Sequence, residues 1–138
     1  MAFVVDASVT LAWLITGELT PYSIAVRSRL RSEEAWVPPI WPYEVANALL
    51  IAERRGRISQ AHVSEALHRL DDVLIMVDLG AMERASQSVL ALARQLNLSV
   101  YDASYIDLAL NRGLPIATTD NRMRRAATEV GLAIAEGA

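Results

Sequence analysis

Short runs of consecutive apolar residues alternate along the chain with longer stretches in which apolar positions return every three or four residues. Phe3-Val4-Val5, Ala35-Trp36-Val37, Val73-Leu74-Ile75-Met76-Val77, Pro115-Ile116-Ala117-Thr118 and Leu132-Ala133-Ile134 are the short runs. Most lack a polar residue at every second place, which predicts strands buried on both faces. Helices are predicted over 8–15, 20–32, 42–52, 59–70, 82–96, 102–111 and 121–130. The punctuation agrees with them. Thr20-Pro21 offers an N-cap followed by proline at the first helical position, and Ser59 offers another cap. Arg54-Arg55-Gly56 and Arg112-Gly113 place basic residues and glycine where helices end. Strands separated by helices predict an α/β fold of three layers with a parallel sheet. No repeat or linker interrupts the pattern, so one domain over 1–138 is expected.

Composition refines this picture at a few points. An apolar share of 53% is high for a single domain of 138 residues, and points to fully covered strands, a subunit interface or both. No apolar run approaches the roughly 20 residues of a membrane span, and the first residues lack the pattern of a signal peptide, so a cytoplasmic location is expected. Without cysteine there is no disulfide and no thiolate metal site. The net charge of −3 argues against a protein that merely coats nucleic acid, but not against a nuclease with an acidic pocket and local basic patches. All 13 basic residues are arginine. Without lysine, phosphoacceptor signalling domains and haloacid-dehalogenase-type phosphatases are excluded, as is a phosphate loop ending in lysine.

The candidate chemistry is carried by four scattered acids. Asp6 follows the first strand and Asp120 the fourth, and in open α/β sheets ligands bind beyond the carboxyl ends of strands. Glu44 lies in the first turn of the helix after the second strand, and Asp102 heads the helix before the fourth. Taken singly, each aspartate reads as a helix cap and Glu44 as a complement to the helix dipole. Their apolar surroundings favour a joint role. Carboxylates gathered in a half-buried pocket repel one another and rise in pKa unless a cation lies among them, and Mg²⁺ or Mn²⁺ suits an all-oxygen site.

Val4-Val5-Asp6-Ala7-Ser8-Val9, Pro42-Tyr43-Glu44-Val45-Ala46-Asn47-Ala48-Leu49, Tyr101-Asp102-Ala103-Ser104-Tyr105 and Ala117-Thr118-Thr119-Asp120 resemble, in order and spacing, the four motifs of PIN domains, above all VapC-type toxins. The resemblance covers essentially the whole chain. It implies a sheet of strand order 3-2-1-4-5, a homodimer, dependence on Mg²⁺ or Mn²⁺, cleavage of RNA and inhibition by a cognate antitoxin. Carried over by position, Asp6, Glu44, Asp102 and Asp120 are the acidic quartet, with Asp6, Asp102 and Asp120 as metal ligands. Ser8 and Thr118 match supporting hydroxyls, and Asn47 a polar residue one turn after Glu44. Asp107 departs from the pattern. Its position about 140° around the helix from Asp102 predicts a solvated side chain, not a fifth ligand.

Among the arginines, Arg122, Arg124 and Arg125 follow Asp120 and are expected to touch RNA phosphates, which supply affinity and alignment. Trp13, Trp41 and Tyr105 are expected to pack rather than stack on bases; Met76, Met82 and Met123 to pack; His62 and His68 to lie on the surface. The competing class is a protein that binds RNA or a partner through this fold without cleaving. Within the enzyme class, an RNA-processing nuclease competes with a toxin.

Overall fold

The computed structural model describes residues 1–136. Its sheet has four parallel strands, β1 (Ala2–Val5), β2 (Glu34–Val37), β3 (Ile75–Val77) and β4 (Ile116–Ala117), in the spatial order β3-β2-β1-β4. The register pairs Phe3 with Ala35, Val5 with Ala117 and Trp36 with Met76. Phe3, Val4 and Val5 are all fully buried, so β1 has no solvent face, as its unbroken apolar run requires.

The helices are α1 (Ala7–Leu14), α2 (Pro21–Arg29), α3 (Trp41–Arg54), α4 (Gln60–Asp71), α5 (Ala81–Arg84), α6 (Leu90–Leu96), α7 (Val100–Arg112) and α8 (Asn121–Glu129). The Thr20 and Ser59 caps form as expected. Gly113 closes α7 in the left-handed conformation, at φ 65°, which a side chain with a Cβ rarely adopts. One core cluster reaches from Phe3 to Ala135, and a smaller one joins Val89, Ala93 and Ala103. The expected domain range, 1–138, ends on two residues outside those described. No helix among the described residues is long and apolar enough to cross a membrane.

Several expectations are corrected. The fifth strand shrinks to one parallel bridge between Ile134 and Ile116, so the order 3-2-1-4-5 survives with only a trace of its last member. The strand expected from Val73 begins at Ile75, because the Val73 N–H is spent on the Leu70 carbonyl in closing α4. The helix expected over 82–96 contains a π-helical turn, Ala85–Val89, between α5 and α6. Met82, expected to pack, is exposed. The last long helix starts before Asp102, at Val100, with Ser99 as its cap.

Candidate active site

The pairing of β1 with β4 places Asp6 beside Thr118 at the carboxyl ends of adjacent strands, with Asp120 two residues further on. Asp6 caps α1: its Oδ1 accepts from the Ser8 N–H at 2.8 Å. Its Oδ2 accepts from the Thr118 hydroxyl at 2.6 Å. The same hydroxyl oxygen accepts from the Asp120 N–H at 3.1 Å, and the Ser8 hydroxyl accepts from the Thr119 N–H at 3.3 Å. Asp120 in turn caps α8 by accepting from the Arg122 N–H at 2.8 Å. Asp6 and Asp120 are therefore caps as well as site candidates, and each role fixes the carboxylate for the other.

Glu44 and Asp102 arrive on the first turns of α3 and α7. Ser99 accepts from the Asp102 N–H, so the Asp102 carboxylate is not used as a cap. Tyr105, one turn further along α7, is buried and donates its hydroxyl to Glu44 at 2.6 Å. Tyr105 thus packs, as expected, yet ties Glu44 to the helix that carries Asp102. Its spacing of three residues from Asp102 put it on the same helix face, a signal available in the sequence. Asn47 is exposed and makes no side-chain hydrogen bond among the described residues.

Burial and repulsion act together on Asp6, Glu44 and Asp102. Burial holds Asp6 above the ordinary carboxylate range; hydrogen bonds from Thr118 and Ser8 oppose this, and repulsion from Asp102 and Asp120 adds to it. Glu44 is raised by burial, then by Asp6 and Asp102, against the Tyr105 hydrogen bond. Asp102 is raised by burial and Asp120, against the pull of Arg122. Burial and the adjoining Glu44 push the Tyr105 phenol far above its usual value, so it stays a donor.

This donor set fits a hard divalent cation: it is all oxygen, several of its acids are costly to ionise together, and Arg122 is the one guanidinium bonded to any of the four among the described residues. No three Asp, Glu, His or Cys side chains among the described residues stand together as a group that could hold a metal ion directly. Mg²⁺ characteristically keeps several waters and uses few direct carboxylates, so a closed cage is not what it requires.

The arginines divide. Arg122 Nη2 lies 3.3 Å from Asp102 Oδ2, and Arg125 is exposed. Arg124 is drawn inward: its Nε donates to the Thr118 carbonyl at 2.8 Å and its guanidinium lies 4.7 Å from the Tyr22 ring. It buttresses the β4–α8 junction instead of standing open to phosphate. Trp13 and Trp41 are buried, and the Nε2 of His62, half-buried rather than on the surface, lies 2.9 Å from the Leu14 carbonyl.

Asp107 is not solvated. It is 4% exposed, accepts from Arg84 Nε at 2.8 Å and from the Ser88 hydroxyl at 2.6 Å. The face of α7 opposite the site is covered by α5 and the π-helical turn, which bring both partners from distant sequence.

A parallel α/β sheet with acids at the ends of β1 and β4, joined by acids from the first turns of α3 and α7, is the PIN architecture. A family model described as PIN domain matches residues 3–129, and the chain belongs to that family as a VapC-like member. It is 34% identical over 125 residues to Ribonuclease VapC3 of Mycobacterium tuberculosis, covering 89% of this chain and 85% of that protein. It is 29% identical over 123 residues to Ribonuclease VapC3 of Pyrobaculum aerophilum, covering 89% and 92%. The crystal structure of PAE2754 from Pyrobaculum aerophilum superposes with a TM-score of 0.64 at 27% identity, covering 91% of this chain and 87% of that one.

Proposed function

We propose that this chain is a divalent-metal-dependent endoribonuclease, the toxin of a toxin–antitoxin pair, acting in the cytoplasm as a homodimer. The observation that carries the reading is the carboxylate set itself: Asp6, Glu44 and Asp102 are all held above their ordinary range at one end of the sheet. Relatives named as ribonucleases across most of the chain support the same activity.

In this reading Asp6, Asp102 and Asp120 hold Mg²⁺ or Mn²⁺, with Thr118 and Ser8 fixing the Asp6 carboxylate and Asn47 standing on the solvent side of Glu44's helix. When bound, the ion would supply a water activated for attack and would neutralise charge on the phosphodiester. Glu44, steadied by the Tyr105 hydroxyl, would orient a water and take its proton. Arg122 and Arg125 hold the phosphates of the RNA strand, and Arg122 leaves Asp102 to do so. A guanidinium already rests against Asp102, which supports the further reading that an antitoxin inhibits by placing an arginine among the carboxylates.

The test is turnover of an RNA panel with Mg²⁺, Mn²⁺ or chelator, by the parent and by Asp6→Asn. Cleavage that needs the ion and is lost in the folded variant is expected. RNA bound but never cut by the parent replaces this reading with a non-catalytic one. Induction of the parent, but not of Asp6→Ala, arrests growth if the nuclease is a toxin; an RNA-processing nuclease leaves growth unaffected.

A further inference from the structure

Beside Asp102, α8 and the turn between α6 and α7 line an open cavity of about 340 Å³. Leu96 and Leu98 give it aliphatic walls, Asn97 an amide, Arg122 and Arg125 two guanidinium groups, and Glu129 a carboxylate. Arg122 belongs to both places, since it also reaches Asp102. The cavity and the acids therefore share a wall. Arg125 forms no ion pair among the described residues, so its charge is available to a ligand. Asn97 ends α6 in the left-handed conformation, at φ 54°, and is exposed at the turn.

These groups match the parts of a nucleotide. Two guanidiniums suit a phosphate, aliphatic side chains suit the flat face of an unstacked base, and an amide with a carboxylate suits a base edge. The volume lies at the small end of ligand pockets, the scale of one nucleotide and not of a duplex. Glu129 adds a sign. An ionised carboxylate only accepts hydrogen bonds, so it favours the exocyclic amino groups of adenine, cytosine and guanine, whereas uracil offers it a single N3–H flanked by two carbonyls that repel it.

We infer that this cavity receives one unpaired nucleotide of the RNA strand next to the cleaved phosphodiester, and selects a base with an exocyclic amino group over uracil. The inference rests on the ribonuclease reading for its substrate, but names a pocket outside the carboxylate set.

Fluorescence anisotropy tests it, using Asp6→Asn protein with Mg²⁺ and labelled single-stranded octamers of adenylate, cytidylate or uridylate. The adenylate and cytidylate octamers bind about tenfold more tightly than the uridylate one. Adding Glu129→Gln or Asn97→Ala closes that gap, and adding Arg125→Ala weakens all three octamers and lowers the salt slope by about 0.7. Equal affinity for the three, no binding, or variants that keep the full gap overturn the pocket. Cleavage by the parent is assayed in parallel with Mg²⁺. Preferential binding without cleavage overturns the nuclease reading and leaves the pocket standing; cleavage with variants indifferent to the octamers does the reverse.

Discussion

Two clusters of buried acids lie on opposite faces of α7, and the chain treats them differently. On one side Asp78 and Asp107, 8% and 4% exposed, meet Arg84, Arg112 and Ser88. Arg84 bridges both carboxylates, at 2.8 Å to Asp107 and 3.5 Å to Asp78, while Arg112 reaches Asp78 at 3.4 Å and covers the Trp36 ring. On the other side Asp6, also 8% exposed, has two N–H or O–H donors and acidic neighbours, and Arg122 reaches only Asp102. Equal burial therefore does not distinguish an acid paired within the chain from a proposed metal ligand. The distinction lies in the counter-charge: Asp78 and Asp107 find theirs within the chain, whereas the quartet has one guanidinium, on Asp102, and in the proposed reading takes the rest from a cation.

The sharpest way to break this comparison is to exchange charge for amide on the quartet side. Asp6→Asn keeps an acceptor for the Ser8 cap but removes a proposed ligand, and RNA cleavage falls by about 10³-fold or more, the scale of losing several kcal/mol of charge stabilisation. Single-turnover assays under matched Mn²⁺ read it. Asp107→Ala, assayed well below its Tm, keeps far more activity. If the two variants lose cleavage equally, the clusters are not functionally distinct.

Next in size is the stability effect, which falls on the opposite cluster. Asp107→Ala leaves Ser88 without its carboxylate and Arg84 with only the more distant Asp78, and costs about 2–3 kcal/mol, less than a fully buried pair because Arg84 keeps that partner and some solvent contact. The denaturant midpoint measures it. A loss below about 0.5 kcal/mol, the range of ordinary surface changes, contradicts the structural role.

The sequence reveals the two sides of α7 unequally, for a physical reason. Asp6 and Asp120 follow apolar runs that can only be strands, so their place at strand ends follows from local pattern and sheet topology. Helix geometry turns Asp107 away from Asp102, but burial beside Arg84 and Ser88 replaces the expected solvation. What covers that face depends on Arg84 and Ser88, which tertiary packing brings in, and periodicity within α7 carries no trace of them. The π-helical turn is hidden for a related reason: one widened turn hardly alters the spacing of apolar residues across 82–96. The fifth strand failed because three apolar residues at a sheet edge specify burial but not a ladder, and only Ile134 pairs.

A smaller effect concerns pH. Asp6, Glu44 and Asp102 have folded-state pKa values raised above their ordinary ones, so in the relevant window the folded protein binds protons more tightly than the unfolded chain. Their contribution is fully present below the ordinary carboxylate range and is lost as pH rises through the raised values. In chelator, the parent therefore loses stability across that window, and Asp6→Asn loses less, melting above the parent at neutral pH by less than Asp107→Ala melts below it. Adding Mn²⁺ stabilises the parent by binding only the folded state and narrows or reverses the difference. A chelated parent that gains stability through the same window contradicts the crowding of these acids.

The smallest effect tests the single contact at which the quartet imitates the other cluster. Arg122 and Asp102 form an exposed pair, with the arginine side chain 62% accessible, and such pairs contribute little to stability. Arg122→Ala changes the unfolding free energy, read from denaturant curves, by no more than about 0.5 kcal/mol. The same guanidinium nevertheless occupies a carboxylate of the proposed ligand set, so its removal lets Mn²⁺ stabilise the protein at about twofold to fivefold lower concentration, the scale of a weak exposed ion pair. RNA affinity moves the other way, because a phosphate partner is lost. Thermal melts across a Mn²⁺ series and anisotropy with RNA read the two effects separately. An unchanged Mn²⁺ midpoint means that Arg122 and the ion do not compete, and places Asp102 outside the proposed ligand set; a higher midpoint means that Arg122 helps to shape the ion's site, as Arg84 shapes the cluster behind it.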